Sequence, residues 1–103
     1  RVPKFFAQDY FQRNPFEGYA QSWPSLFIGA KGTESSMHID SGGTNFWLYL
    51  LSGQKEWVFY DFEDSINLYQ VGAHFNVDAF RPDKGRFPLE SLAKRWKVMQ
   101  NPG

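Results

Sequence analysis

Two long apolar runs separated by only three residues constrain this chain most. Residues 44–51 and 55–61 flank Ser52-Gly53-Gln54. A short glycine-containing connection between two β-prone runs predicts a hairpin. Along the second run, alternate residues share a face. Lys55, Trp57 and Phe59 fall on one side, and Glu56, Val58 and Tyr60 on the other. The side with two large rings is the candidate interior, so Lys55 points inward at its edge. In the first run Asn45, Trp47 and Tyr49 share one face, and Phe46, Leu48 and Leu50 the opposite one. Most of these are core candidates, with Asn45 a candidate polar contact.

The rest of the chain is punctuated the same way. Residues 25–28 read as a strand, followed by a loop through Gly29, Gly32 and Ser35-Ser36. Residues 37–40 form a short strand that Ser41-Gly42-Gly43 breaks. Residues 63–69 read as a helical turn, and residues 73–80 as either strand or loop. Arg81-Pro82-Asp83-Lys84-Gly85 is a turn, residues 88–94 a short helix opened by Pro88, and residues 96–100 a strand before the turn Asn101-Pro102-Gly103. Residues 1–20 are aromatic-rich and irregular, with one short helix near residues 9–13. Strands and turns alternating at about 8–12 residues predict a barrel or sandwich, mainly β with short helices. A last strand running into a turn, and a start amid aromatic sequence, read as a piece cut from a larger domain.

At 103 residues the chain is one domain or part of one. Its 11 Phe, 5 Tyr and 4 Trp bury much area each, so a compact core is feasible despite the short length. Eleven basic residues balance 11 acidic ones, so no net field draws the chain to nucleic acid or to a membrane. The absence of cysteine excludes disulfides and thiolate metal ligands. No signal peptide and no membrane-spanning apolar run is present.

His38-Ile39-Asp40 carries the clearest chemistry. Residues i and i+2 of a strand point to one face, so the His38 imidazole and the Asp40 carboxylate can converge on one cation. Imidazole plus carboxylate suits Fe(II), Mn(II) or Zn(II). Lys55 is the second candidate. An inward ammonium is costly without a partner, and no acidic residue shares its stripe, so an anionic ligand would satisfy it. The other reading is a lysine beside a turn that snorkels to water. Ser35 precedes His38 by three residues and could hold an anion, or be an ordinary loop serine. His74 is the only other histidine, a possible third ligand or a structural residue.

In order, the chain reads Gly29-x-x-Gly32-Thr33, then Ser35-Ser36-Met37-His38-Ile39-Asp40, then an unbroken stretch from Gly43 to Phe59 that contains Ser52-Gly53-Gln54-Lys55-Glu56-Trp57. This arrangement resembles the JmjC branch of the Fe(II)/2-oxoglutarate oxygenases. It is most similar to the bifunctional arginine demethylase and lysyl-hydroxylase family, once called the phosphatidylserine receptor. Val2-Pro3-Lys4-Phe5-Phe6 with Asp9, Phe11 and Gln12 matches that family's segment ahead of its barrel. The similarity covers residues 2–61 and returns at Pro88-Leu89-Glu90 and Pro102-Gly103, while residues 62–87 diverge.

The resemblance implies a double-stranded β-helix, a cupin-like jelly roll that is incomplete in residues 1–103. It implies Fe(II) and 2-oxoglutarate as cofactors, O₂ as co-reactant and a protein as substrate. His38 and Asp40 would be metal ligands, with a third, a histidine, expected beyond Gly103. Lys55 would pair with the distal carboxylate of 2-oxoglutarate, and Ser35 stands where the family usually has a threonine on that carboxylate. Leu48 departs from the family's polar Asn near the cosubstrate, and the family's Tyr contact lies upstream of residue 1. The implied activity is hydroxylation of a protein side chain, lysine first, in the nucleus or cytoplasm. The alternatives are demethylation of methyl-lysine or methyl-arginine, or a non-catalytic cupin-like binding module. With one ligand missing, residues 1–103 alone are expected to be inactive.

Overall fold

The structure is a computed structural model and describes Lys4, Arg13 and residues 24–103. These fall into two compact units, Arg1–Thr33 and Glu34–Gly103. In the first, residues 25–28 are not a strand, because no described segment forms a ladder with them. Leu26, Phe27 and Ile28 are exposed. A turn follows, in which the Thr33 N–H and hydroxyl both donate to the Ala30 carbonyl, at 3.2 and 2.9 Å. The helix expected near residues 9–13 lies outside the described residues, Arg13 apart.

The second unit is built on an antiparallel pair, β1 (Lys55–Tyr60) and a strand at Arg95–Gln100. Between them lies a two-stranded ribbon, β2 (Gln70–Val71) and β3 (His74–Phe75), which makes the strand at Arg95–Gln100 β4. Three 3₁₀ turns, Ser41–Gly43, Phe62–Leu68 and Pro88–Leu92, connect these elements. The turns expected over residues 63–69 and 88–94 therefore form, the second opened by Pro88, whose fixed φ suits a first helical turn. Among the described residues no helix is long and apolar enough to cross a membrane.

The expected hairpin does not form. Residues 44–51 contain no strand, and β1 pairs with β4, far along the chain. Six consecutive residue pairs make that distant match, with Phe59 opposite Trp96 and Trp57 opposite Val98. Such aromatic and β-branched pairs stabilise a ladder by roughly 0.2–1 kcal/mol each. Residues 44–51 run instead beside the end of β4. The Leu48 carbonyl accepts the Gln100 side-chain amide at 3.1 Å, and the Leu50 carbonyl accepts the Gly103 N–H at 3.3 Å. The strand expected at residues 37–40 is reduced to one bridging residue, His38, opposite His74. Of residues 73–80 only His74–Phe75 is strand. The rest is a loop organised by Asp78, whose Oδ1 accepts the Phe80 and Arg81 N–H groups at 2.8 and 3.0 Å.

Lys55, Trp57 and Phe59 do share a face, but that face is half open: Phe59 is 45% exposed. The buried centre of the described residues lies elsewhere, at Leu68, Val77 and Ala79 with the carboxylate of Glu90. Tyr60 reaches it from the opposite face of β1, donating its hydroxyl to Glu90 Oε1 at 2.9 Å. Among the described residues Phe46 is an aromatic neighbour of that stripe, 5.6 Å from Trp57.

Burial, and after it the hydrogen bond to Glu90 and that residue's charge, push the Tyr60 phenol up to about 12. The fold favours the neutral phenol. Its contribution is therefore complete below the ordinary value of 10.0 and is lost as pH rises through about 12. Urea denaturation should show stability declining across that window, and Tyr60→Phe should flatten the decline. At neutral pH the same substitution should cost about 1–3 kcal/mol, because the buried Glu90 carboxylate loses a donor. A decline equally steep in both proteins would refute the assignment.

Candidate metal centre

His38 and Asp40 flank Ile39 just ahead of the Ser41–Gly43 turn. The structure brings their side chains together. His38 Nε2 lies 3.3 Å from Asp40 Oδ1, and both side chains are partly exposed, at 44% and 38%. Two donors held about 2.1 Å from one cation at a right angle stand roughly 3 Å apart, so the spacing fits a shared ion.

The backbone sets the tautomer. His38 Nδ1 lies 2.6 Å from the Ser36 carbonyl oxygen. A carbonyl can only accept, so Nδ1 carries a hydrogen, which leaves Nε2 as the ring atom that faces Asp40 and that a metal would bind in the neutral imidazole. Anchoring the distal ring nitrogen on a carbonyl is also how metal-ligating histidines are usually oriented. The donor set thus fits two ligand positions of a divalent metal site. Among the described residues no group of three or more His, Cys, Asp or Glu gathers at one point. His74 sits opposite His38 across the bridge, in β3, and is exposed.

Lys55 opens β1, with its ammonium 4.6 Å from the Trp57 ring centroid. Trp57 is held by a hydrogen bond from its indole N–H to Gln100 Oε1 at 2.9 Å and by stacking on Phe59 at 5.8 Å. Glu56, on the opposite face, pairs with Lys97. Ser35 is exposed and lines a cleft of about 360 Å³ with Met37, Phe75 and Val77, among others. Lys55 does not line that cleft. Asn45 is exposed just beyond the Ser41–Gly43 turn.

Sequence reasoning missed the Ser36 carbonyl, the Gln100 side chain that fixes Trp57, and the ribbon against residue 39. Backbone acceptors and distant partners leave no local pattern, and only the strand-or-loop character of residues 73–80 pointed to the ribbon.

A family described as a cupin-like domain matches residues 3–103. The chain is 30% identical over 95 residues to HSPB1-associated protein 1 of Homo sapiens, covering 85% of this chain and 19% of that protein. The protein of the same name from Rattus norvegicus is also 30% identical over 95 residues, with 85% and 20% covered. Arginine-specific demethylase JMJ22 of Arabidopsis thaliana is 36% identical over 59 residues, covering 57% of this chain and 11% of the plant protein. The chain thus spans about a fifth, or less, of the length of these relatives. No solved structure matches it. The antiparallel strands joined by short helical turns agree with part of a mainly-β jelly roll. The chain belongs to the cupin-like domain family, in its JmjC-type branch.

Proposed function

We propose that the protein is an Fe(II)- and 2-oxoglutarate-dependent dioxygenase that hydroxylates a protein side chain, lysine first among the candidates. The observation that carries this reading is the His38–Asp40 pair, a ring nitrogen and a carboxylate oxygen 3.3 Å apart with the imidazole oriented by a backbone carbonyl. Bound iron and 2-oxoglutarate would supply the oxidising chemistry, with O₂ as co-reactant. His38 and Asp40 would hold the metal, and a histidine outside residues 1–103 would complete the set. Lys55 would pair with the far carboxylate of 2-oxoglutarate. Ser35 and Asn45 stand as weaker candidates for the same molecule. A protein partner and nuclear or cytoplasmic residence belong to the same reading.

The likeness to an arginine-specific demethylase favours a second reading, removal of a methyl group from a methylated arginine or lysine. The two outcomes differ in the carbon oxidised. A side-chain methylene keeps the oxygen, whereas an oxidised N-methyl carbon leaves as formaldehyde. The mass of a peptide product therefore separates them, by gain of an oxygen or loss of a methyl group. An unchanged peptide, with no succinate formed, would leave only the binding module.

Two further measurements test the residues. In the full-length protein, His38→Ala and Asp40→Asn should each weaken Mn(II) binding, measured calorimetrically, by about tenfold or more. Wild-type affinity in both variants would overturn the metal assignment. Lys55→Ala should raise the 2-oxoglutarate concentration that half-saturates succinate formation by about tenfold or more, since a hydrogen bond to a charged group contributes about 1.5–3 kcal/mol. An unchanged 2-oxoglutarate requirement would remove Lys55 from the site.

A further inference from the structure

The β2–β3 ribbon shares no ladder with the sheet that carries Lys55, yet it grips the segment that carries His38 and Asp40. The Ile39 N–H donates to the Ala73 carbonyl at 2.8 Å, and His38 stands directly opposite His74 in an antiparallel bridge. Ile39 is the residue between the two proposed ligands. In an antiparallel pair, a bond from the residue after one partner to the residue before the other marks the narrow, non-hydrogen-bonded kind of pair. The ribbon backbone is therefore at its closest approach at His38 itself.

The ribbon is braced from behind. The Gln70 side-chain amide donates to the Gly72 carbonyl at 2.8 Å. The Asn76 backbone N–H and side-chain amide both donate to the Tyr69 carbonyl, at 3.3 and 3.2 Å. The Tyr69 hydroxyl accepts the Leu89 N–H at 3.3 Å, and its ring packs edge-on against Phe87 at 5.0 Å. The ribbon is thereby rooted in the Pro88–Leu92 turn. Its own reversal is a two-residue Gly72-Ala73 loop with φ +62 at Gly72, a conformation that side-chain-bearing residues rarely adopt.

We infer that the β2–β3 ribbon is a positioning arm, which fixes the register of residues 38–40 through the Ile39–Ala73 bond and so keeps His38 and Asp40 converged. The inference rests on the metal reading above. Register matters here because a slip of one residue turns every side chain to the other face of a strand. Ala73 acts through its carbonyl. The His74 imidazole is not required, as it joins no three-residue cluster with His38 and Asp40.

The test uses the full-length protein with two variants and two readouts. Gly72→Val strains the loop at its positive-φ glycine, where an added Cβ itself meets nothing within 4 Å. His74→Ala removes the imidazole and keeps the backbone. Amide hydrogen exchange at Ile39 reports the register, and calorimetric Mn(II) titration reports the site. Gly72→Val should speed Ile39 exchange and weaken Mn(II) binding, each by roughly tenfold. His74→Ala should leave both within about twofold of wild type. Wild-type exchange at Ile39, or wild-type Mn(II) affinity, in a Gly72→Val protein with native circular dichroism would overturn the arm. Loss of Mn(II) binding in His74→Ala with Ile39 still protected would overturn it too, by making His74 a ligand. If the wild-type protein binds no Mn(II), the metal reading fails by itself, and Ile39 exchange in Gly72→Val still decides whether the ribbon sets the register.

Discussion

The β1–β4 ladder is the constraint on which the rest of the larger unit depends. It joins segments far apart in sequence over six residue pairs, from Lys55 opposite Gln100 to Tyr60 opposite Arg95. Closing so long a loop costs entropy that only a well-matched pairing offsets. Directly opposite residues share a face, so the ladder divides its side chains cleanly. Lys55, Trp57, Phe59, Trp96, Val98 and Gln100 lie on one side. Glu56, Val58, Tyr60, Arg95, Lys97 and Met99 lie on the other. The second side meets the buried centre through Tyr60 and Glu90, while Arg95 donates from Nη2 to the Ala79 carbonyl at 2.7 Å.

Much of this was legible where the signal is local. Period-2 alternation in Lys55–Tyr60 assigned each side chain to its face, and Pro88 marked the start of a helical turn. The i, i+2 spacing of His38 and Asp40 foretold their convergence, because two residues apart is a property of the extended backbone alone. What escaped was the choice of partner. Ser52-Gly53-Gln54 looks like a hairpin turn, and Gly53 does adopt φ +85, yet the run before it yields β1 to β4. Turn chemistry speaks for the bend and is silent about which strands pair across it. Two large rings on one face likewise state a need for cover without saying what supplies it.

The candidate metal site shows the same division. The sequence names the donors, while their orientation comes from main-chain atoms that no motif encodes. The Ser36 carbonyl fixes the His38 ring, and the Ala73 carbonyl holds the Ile39 amide. The second of these comes from a two-residue loop inside the stretch that the cupin-like family matches. A carbonyl oxygen is available from any residue type, so no sequence pattern betrays it.

Charge sorting by the ladder also bears on Lys55. The nearest acidic neighbour in sequence, Glu56, is turned to the opposite face and engaged by Lys97. On its own face Lys55 has the Trp57 indole, with the ammonium 4.6 Å from the ring centroid. A cation–π contact at a partly exposed site contributes about 0.5–1 kcal/mol. A hydrogen bond to a carboxylate contributes about 1.5–3 kcal/mol. A carboxylate ligand arriving at this face would therefore draw the ammonium from the indole without first displacing a carboxylate of the described residues. Trp57, tied to Gln100 and stacked on Phe59, would keep its place as the ammonium moved. Among the described residues, the lysine is thus held by a partner weak enough to yield, beside a ring that its own contacts fix.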